Sequence, residues 1–409
     1  MPEISSTIDL VAGFQVAGVH AGLKKDGALD FSLVLSEVNC VTAGVFTRNK
    51  VKAAPVLLDM EKLAQNPEEI RAVATNTVSA NACTGKIGLE NARSTAAMVA
   101  AELSLSAEQV LVMSTGVIGT HLPMDKIARG VELASTGLGL DWRATAAAIM
   151  TTDTRPKLGS VQVETARGSY RIAGIVKGAG MIAPNMATML SVIVTDAGLN
   201  LADAQDALRR AAQQSFNRIV VDGDTSTNDT VLMLSNGMSG VSVSTDDELG
   251  EFQDALDALT RYLAQEVVRD GEGVTKFVTL DVVNAASEVD AERIGQTIGA
   301  SVLTKSAFYG SDANWGRIVA AAGRAGAAFD PDNTSLWVAA GEASSVEGRG
   351  LQIFGGGMPT DYQEADAAAI MAQPSIMFTL DCGIGECHAT IWTCDISHEY
   401  ISINGDYRS

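Results

Sequence analysis

An uncharged run from Gly178 to Thr195 constrains this chain more than any other stretch. It reaches the length at which a membrane helix is considered, but Pro184, Asn185 and two glycines interrupt it. Past the interruption, Leu190-Ser-Val-Ile-Val-Thr195 is apolar and β-branched. The run therefore predicts a Gly/Pro-rich approach leading into a buried strand. Thr188 sits at the start of that strand, and two readings of it compete. It is either a β-branched residue opening a strand or a threonine that becomes a new amino terminus when the chain cuts itself before it. A threonine hydroxyl is a poor nucleophile at neutral pH and needs a base in reach, which an N-terminal amine of pKa about 7.7–8.0 supplies. Cleavage by attack of Thr188 Oγ on the Ala187 carbonyl would provide that amine.

The rest of the chain predicts short strands mixed with helices. Phe31–Ser36 and Val45–Thr47 read as strand, the second continuing the same sheet after a turn at Gly44, and Gln109–Ser114 reads as a buried strand ended by Thr115-Gly116. Helices are expected over 90–103, 124–134 and 141–150, the last stopped by Thr151-Thr-Asp-Thr-Arg-Pro156. Ala166-Arg-Gly168 joins 160–165 to 169–176 as a hairpin. Beyond the central run, helices are predicted over 201–216, 248–269, 290–303 and 317–327, strands over 231–234 and 276–283, and a β tail from Phe378 to Ser409. No strand runs into a G-x-G-x-x-G turn and helix, which disfavours a dinucleotide-binding unit. The expected class is α+β, with helices outside two mainly antiparallel sheets and two lobes in 409 residues.

Charge and cysteine content narrow the partners. A net charge of −20 with no basic run speaks against a nucleic-acid partner. Five cysteines, an odd and unevenly spaced set, do not make a disulfide framework, so a reducing compartment such as the cytoplasm is expected. Cys382, Cys387, Cys394, His388 and His398 lack the paired short spacings of a zinc site, and no metal is expected. An early Glu3 without a basic region predicts no secretory signal, and no membrane span is expected.

Acyl transfer needs donors aimed at a developing oxyanion, and Thr115-Gly116 is a plausible source besides being a simple strand-ending turn. Asp222-Gly-Asp-Thr-Ser-Thr-Asn-Asp-Thr230 crowds carboxylates, hydroxyls and amides without the spacing of a calcium loop, which suits solvated turns or a hydrogen-bonded frame. Gly271-Glu272-Gly273 sets one carboxylate between flexible residues, an ordinary turn or a holder for a cationic amine.

Taken in order, several motifs resemble the ornithine acetyltransferases, also called glutamate N-acetyltransferases, over nearly the whole chain. They are Asn81-Ala-Cys-Thr-Gly85, Ser114-Thr-Gly-Val-Ile-Gly119, Thr151-Thr-Asp-Thr154, the Lys177–Asp196 run, Ser215-Phe-Asn-Arg218 and Val221–Thr230. Gly271–Phe277, Asn314-Trp-Gly-Arg317 and Ile403-Asn-Gly-Asp-Tyr407 complete the set. The resemblance implies an N-terminal-nucleophile-like fold cut between Ala187 and Thr188, giving an α chain of 1–187 and a β chain of 188–409. It implies Thr188 as acetyl carrier and Thr115 with Gly116 as oxyanion hole. Lys177, Glu272, Asn404, Ser409 and one of Thr151 and Thr152 become substrate contacts beside Thr188. The implied substrates are N2-acetyl-L-ornithine and L-glutamate, with no cofactor, although acetyl-CoA is an acetyl donor for some members. Two α and two β chains are the implied assembly.

The pattern is broken at a few places. Thr77-Val-Ser79 stands where the family commonly has Ser-Gly-Asn, Ser311 and Ala313 replace a usual Glu and Pro, and Cys382, Cys387 and His388 are atypical. These leave the nucleophile intact and put substrate range in question, so an acyltransferase of a secondary pathway is one alternative. A self-cleaving aminopeptidase or amidohydrolase of similar fold is another, although such relatives typically use serine. The third is a non-enzymatic metabolite-binding protein in which Thr188 only opens a strand.

Overall fold

A computed structural model of the chain describes residues 2–183, 189–343 and 348–406. Ala187, Thr188 and Ser409 lie outside the described residues. Two compact units are present, and the chain passes between them five times, at 178/179, between 183 and 189, and at 217/218, 224/225 and 267/268.

The first unit holds β1 (Phe14–Val19), β2 (Phe31–Phe46), β3 (Ile70–Asn76), β4 (Val110–Ser114), β5 (Lys157–Thr165), β6 (Gly168–Lys177) and β7 (Leu190–Thr195). After an excursion as β8 (Ile219–Val220) in the second unit, the chain returns as β9 (Thr230–Ser235). Its helices are α1 (Ala54–Gln65), α2 (Gly85–Leu103), α3 (Met124–Thr136), α4 (Trp142–Ala148), α5 (Leu201–Gln214) and most of α6 (Asp246–Arg269). The strands form one sheet in the order β4-β3-β2-β9-β7-β6-β5, with β1 added on β2. Among the described strands of this sheet, β3/β4 and β7/β9 are the parallel pairs.

The expected turn at Gly44 is not there. Gly44 pairs with Leu232 inside a continuous β2, and the irregularity falls earlier, between Leu35 and Cys40, where Glu37, Val38 and Asn39 are exposed. β2 pairs with β1 and β3 up to that point, keeps one further β3 pair at Cys40↔Ile70, and then pairs with β9 from Val41 to Phe46. The two arms of the sheet so joined share one core: Val16, Val73 and Leu111 of one arm pack in the same cluster as Ile175, Val192 and Leu232 of the other. The sandwich of the first unit is thus one sheet folded over at β2. α2 and α3 cover a second apolar cluster with Leu33, Ala72 and Val112.

The second unit contains β10 (Phe277–Ala285), β11 (Ser335–Ala340), β12 (Leu351–Gly355), β13 (Met358–Pro359), β14 (Ser375–Asp381) and β15 (Cys387–Cys394). Its helices are α7 (Glu288–Gly299), α8 (Val302–Tyr309), α9 (Trp315–Gly323), α10 (Glu364–Met371) and α11 (His398–Gly405). The sheet runs β13-β12-β11-β14-β10-β15-β8, again mostly antiparallel, over a core that includes Val278, Ile294, Phe308, Ile318 and Phe378. Both units are therefore α+β. The helix expected over 290–303 ends at Gly299, because Ser301 turns the chain and accepts Thr304 N–H to start α8. The β tail is corrected too: from His398 it is the helix α11. Among the described residues no helix is long and apolar enough to cross a membrane.

Candidate functional site

In the first unit the loops after β3 and β4 lie side by side because those strands are parallel and end together, Asn76 opposite Ser114. Thr115 N–H donates to Asn76 O at 3.0 Å, Val117 N–H to Val78 O at 2.9 Å and Ala80 N–H to Val117 O at 3.1 Å. Gly116 sits between these bonds at φ +132, and its N–H donates to no described residue. A Cβ at this position would lie 2.2 Å from the Val78 carbonyl carbon, so only glycine fits. Val78 in turn has φ +74, a left-handed conformation that a β-branched residue adopts at a cost. Ser114 is fixed from behind: Asn228 Nδ2 donates to its carbonyl at 2.8 Å and to Ala80 O at 2.7 Å.

Lys177, the last residue of β6, is buried and reaches two hydroxyls. Its Nζ lies 2.9 Å from Thr151 Oγ1 and 3.3 Å from Thr115 Oγ1. Thr151 rather than Thr152 is therefore the member of that pair joined to Lys177. Asp153 anchors the same corner, its carboxylate accepting Lys157 Nζ at 2.6 Å, Gly178 N–H at 2.7 Å and Thr151 N–H at 2.9 Å. The Asp153 and Lys157 side chains are fully buried. Burial alone would raise the Asp153 pKa, but Lys177, Lys157 and the hydrogen bonds outweigh it and hold the carboxyl well below the usual range.

The register next to residue 188 is also pinned. Lys177 pairs with Leu190 and Leu190 with Thr230, while Asp229 Oδ1 accepts Met189 N–H at 3.0 Å and Thr230 N–H donates to Met189 O at 3.1 Å. Burial drives the Asp229 carboxyl well above its ordinary pKa, against the pull of the Met189 N–H and of Lys177.

In the second unit Glu272 follows α6 and is nearly buried. Its N–H donates to Ala179 O at 2.9 Å, and Asn404 Nδ2 on α11 donates to its Oε2 at 2.6 Å and to Tyr400 O at 3.0 Å. A Cβ on Gly180 would stand 2.5 Å from Glu272 Oε2, so the glycine leaves room for the carboxylate. Asp222 clamps the chain just beyond, accepting Met181 N–H at 2.5 Å and Ile182 N–H at 2.8 Å, with Tyr400 Oη at 3.2 Å. Burial raises the Asp222 carboxyl.

The structure thus brings Thr115, Gly116, Thr151 and Lys177 together in one unit and Glu272 with Asn404 in the other. Sequence reading missed Asp153 and Asp229 as individuals. The first was hidden inside a motif quoted for its threonines, the second in a polar loop for which a hydrogen-bonded frame was one expectation. Two other motif groups are structural: Asn81 accepts Thr84 Oγ1 and donates to Gly88 O, and Asn314 caps α9. Cys382 and Cys394 are buried, and burial pushes the Cys382 thiol up to about 11. Among the described residues no group of three or more His, Cys, Asp or Glu side chains could hold a metal ion.

Residues 15–409 match the model of the ArgJ family. An "arginine biosynthesis bifunctional protein ArgJ" of Symbiobacterium thermophilum is 42% identical over 414 residues, covering 100% of each chain. One of the same name from Geobacter sulfurreducens is 46% identical over 405 residues, covering 98% of this chain and all of the relative. Among solved structures, an ornithine acetyltransferase of Mycobacterium tuberculosis complexed with ornithine is 41% identical, covering 44% of this chain and 94% of that one, with a TM-score of 0.40.

Proposed function

The chain belongs to the ArgJ family and is an acyltransferase of arginine biosynthesis, and from that premise we propose that it moves acetyl from N2-acetyl-L-ornithine to L-glutamate through Thr188. The precursor first cuts itself: Thr188 Oγ attacks the Ala187 carbonyl, the peptide nitrogen leaves as the new α-amine, and water releases Ala187 from the ester. That amine then takes the Oγ proton as Thr188 attacks the acetyl carbon, and passes it to the departing α-amine of ornithine. Glutamate reverses the step, its neutral amine attacking the acetyl ester and restoring the Thr188 hydroxyl. Thr115 Oγ1 and Gly116 N–H are the proposed donors to the oxyanion of each tetrahedral stage.

The observation that carries this reading is the buried junction of Lys177 with Thr115 and Thr151 beside a turn that admits only glycine. Lys177 and Thr151 suit a substrate carboxylate, while Glu272, oriented by Asn404, suits the side-chain ammonium of ornithine. Ser409 and Thr188 complete the proposed substrate contacts. No cofactor is assigned, and acetyl-CoA is tested as an alternative acetyl donor. The proposed assembly is two α and two β chains in the cytoplasm, a location supported by the odd, scattered cysteines.

Intact-mass measurement of wild type beside Thr188→Ala tests the cut: two chains from the first and one from the second are expected, and identical processing would sink it. Incubation with acetyl-ornithine, with and without glutamate, tests the transfer. Ornithine release that does not depend on glutamate would favour a hydrolase. Glu272→Gln should raise the KM for acetyl-ornithine, and an unchanged KM would remove Glu272 from the ornithine site.

A further inference from the structure

Lys177 reaches the hydroxyls of both Thr115 and Thr151, and the geometry says what that does to Thr115. A hydroxyl has one proton to donate and two lone pairs to receive with. With Lys177 Nζ donating into Thr115 Oγ1 from 3.3 Å, one lone pair is taken and the Thr115 proton is turned away from the ammonium. A hydroxyl that receives a charge-assisted bond also becomes a stronger donor itself. The ammonium is not free to wander from this task. Thr151 Oγ1 holds it at 2.9 Å, Thr151 N–H is tied to Asp153, and Asp153 takes Gly178 N–H next to Lys177 in the chain. Lys157, buried against Asp153 at 2.6 Å, fixes the carboxylate that fixes the rest.

We infer that Lys177 is a positioning residue for the oxyanion donor: it aims and polarises the Thr115 hydroxyl, with Thr151 and Asp153 holding the ammonium in place. The inference rests on the assignment of Thr115 and Gly116 as oxyanion donors. It goes beyond that assignment because it gives Lys177 a role expressed in the transition state, separate from any grip on a substrate carboxylate. A group that only binds substrate changes KM, whereas one that acts through the oxyanion donor changes kcat.

A double-mutant cycle on the processed enzyme separates the two roles. Lys177→Met is expected to lower kcat roughly 100-fold, the order of one oxyanion donor, in addition to any rise in KM for acetyl-ornithine from the lost contact with the substrate carboxylate. In a Thr115→Val background the same change should cost no more than about threefold in kcat, since its target is already gone. Equal losses in both backgrounds, or a loss confined to KM, overturn the inference. Lys177→Arg and Thr115→Ser form a second cycle if Lys177→Met is not processed: Lys177→Arg should lower kcat in the threonine and serine proteins alike, and spare it once Thr115 is valine. A wild-type enzyme that transfers no acetyl, or a Thr115→Val enzyme with full kcat, would instead sink the underlying assignment.

Discussion

The two units hold their site residues by different means. In the first, Thr115, Thr151 and Lys177 are locked by fully buried charges, Asp153 against Lys157, and by a turn in which Gly116 and Val78 take backbone conformations few residues adopt. In the second, Glu272 is steered by the side-chain amide of Asn404, from an exposed position on α11, a helix with no buried residues. The contrast suits the proposed division of labour. Donors to a transient oxyanion gain from being fixed beforehand, whereas a carboxylate that greets a flexible ammonium tolerates adjustment. It also means that the two regions should answer mutation differently, the first in stability and kcat together, the second in KM alone.

The largest expected effect is that of Asp153→Ala, which removes the buried carboxylate facing Lys157 and should cost about 3–5 kcal/mol, read by urea unfolding. A loss below about 1 kcal/mol would erase the contrast. The pH dependence has a definite sign. Because the native Asp153 pKa lies below its unfolded value of 3.8, its stabilisation is present above that value and lost as pH falls from there toward the native one. The gap between wild type and Asp153→Ala should therefore close under acid conditions. Gly116→Ala comes next: the Cβ meets the Val78 carbonyl, and about 2 kcal/mol of stability should go together with roughly 100-fold in kcat, measured on one preparation. A stable variant with low kcat would separate the donor from the scaffold.

Val78→Gly should move the other way, stabilising by about 1 kcal/mol as the left-handed strain is released, seen as a higher unfolding midpoint. No gain would mean that the Val78 side chain repays its conformation through contacts. The smallest effect on stability is expected for Asn404→Ala, within about 0.5 kcal/mol, while KM for acetyl-ornithine rises severalfold. A large destabilisation there would show α11 to be as firmly built in as the first unit's turn.

The same contrast explains how much of the molecule was legible in the sequence. Strands with strong local signals, such as 109–114 and the hairpin over 160–176, were read correctly, and Thr115-Gly116 could be named because a strand must end where Gly allows it. The bend of β2 was misplaced because Glu37 and Asn39 look like ordinary polar residues, while the glycine at 44 attracts the eye as a turn. Its real neighbour, Leu232, is almost two hundred residues away in sequence, a long-range pairing that no local window contains. α11 was missed since Ile401 and Ile403 have strand character. The signal for it was the four-residue spacing of Tyr400 and Asn404, whose main-chain carbonyl and side-chain amide bond to each other along one helix face. Asp153 and Asp229 were invisible as partners because burial and the identity of a neighbouring lysine are properties of the fold.

The five passages of the chain between the units carry a consequence for assembly kinetics. β7 belongs to the segment after residue 188 yet lies between β6, from the segment before it, and β9. Residues 179–183, from the earlier segment, belong to the second unit with most of the later one. A cut between 187 and 188 therefore would not yield two independent bodies but two strands of one weave. Before the cut, folding is unimolecular. After it, an unfolded molecule must find its other half again, so refolding becomes second order in protein concentration and slows on dilution, while the precursor's does not.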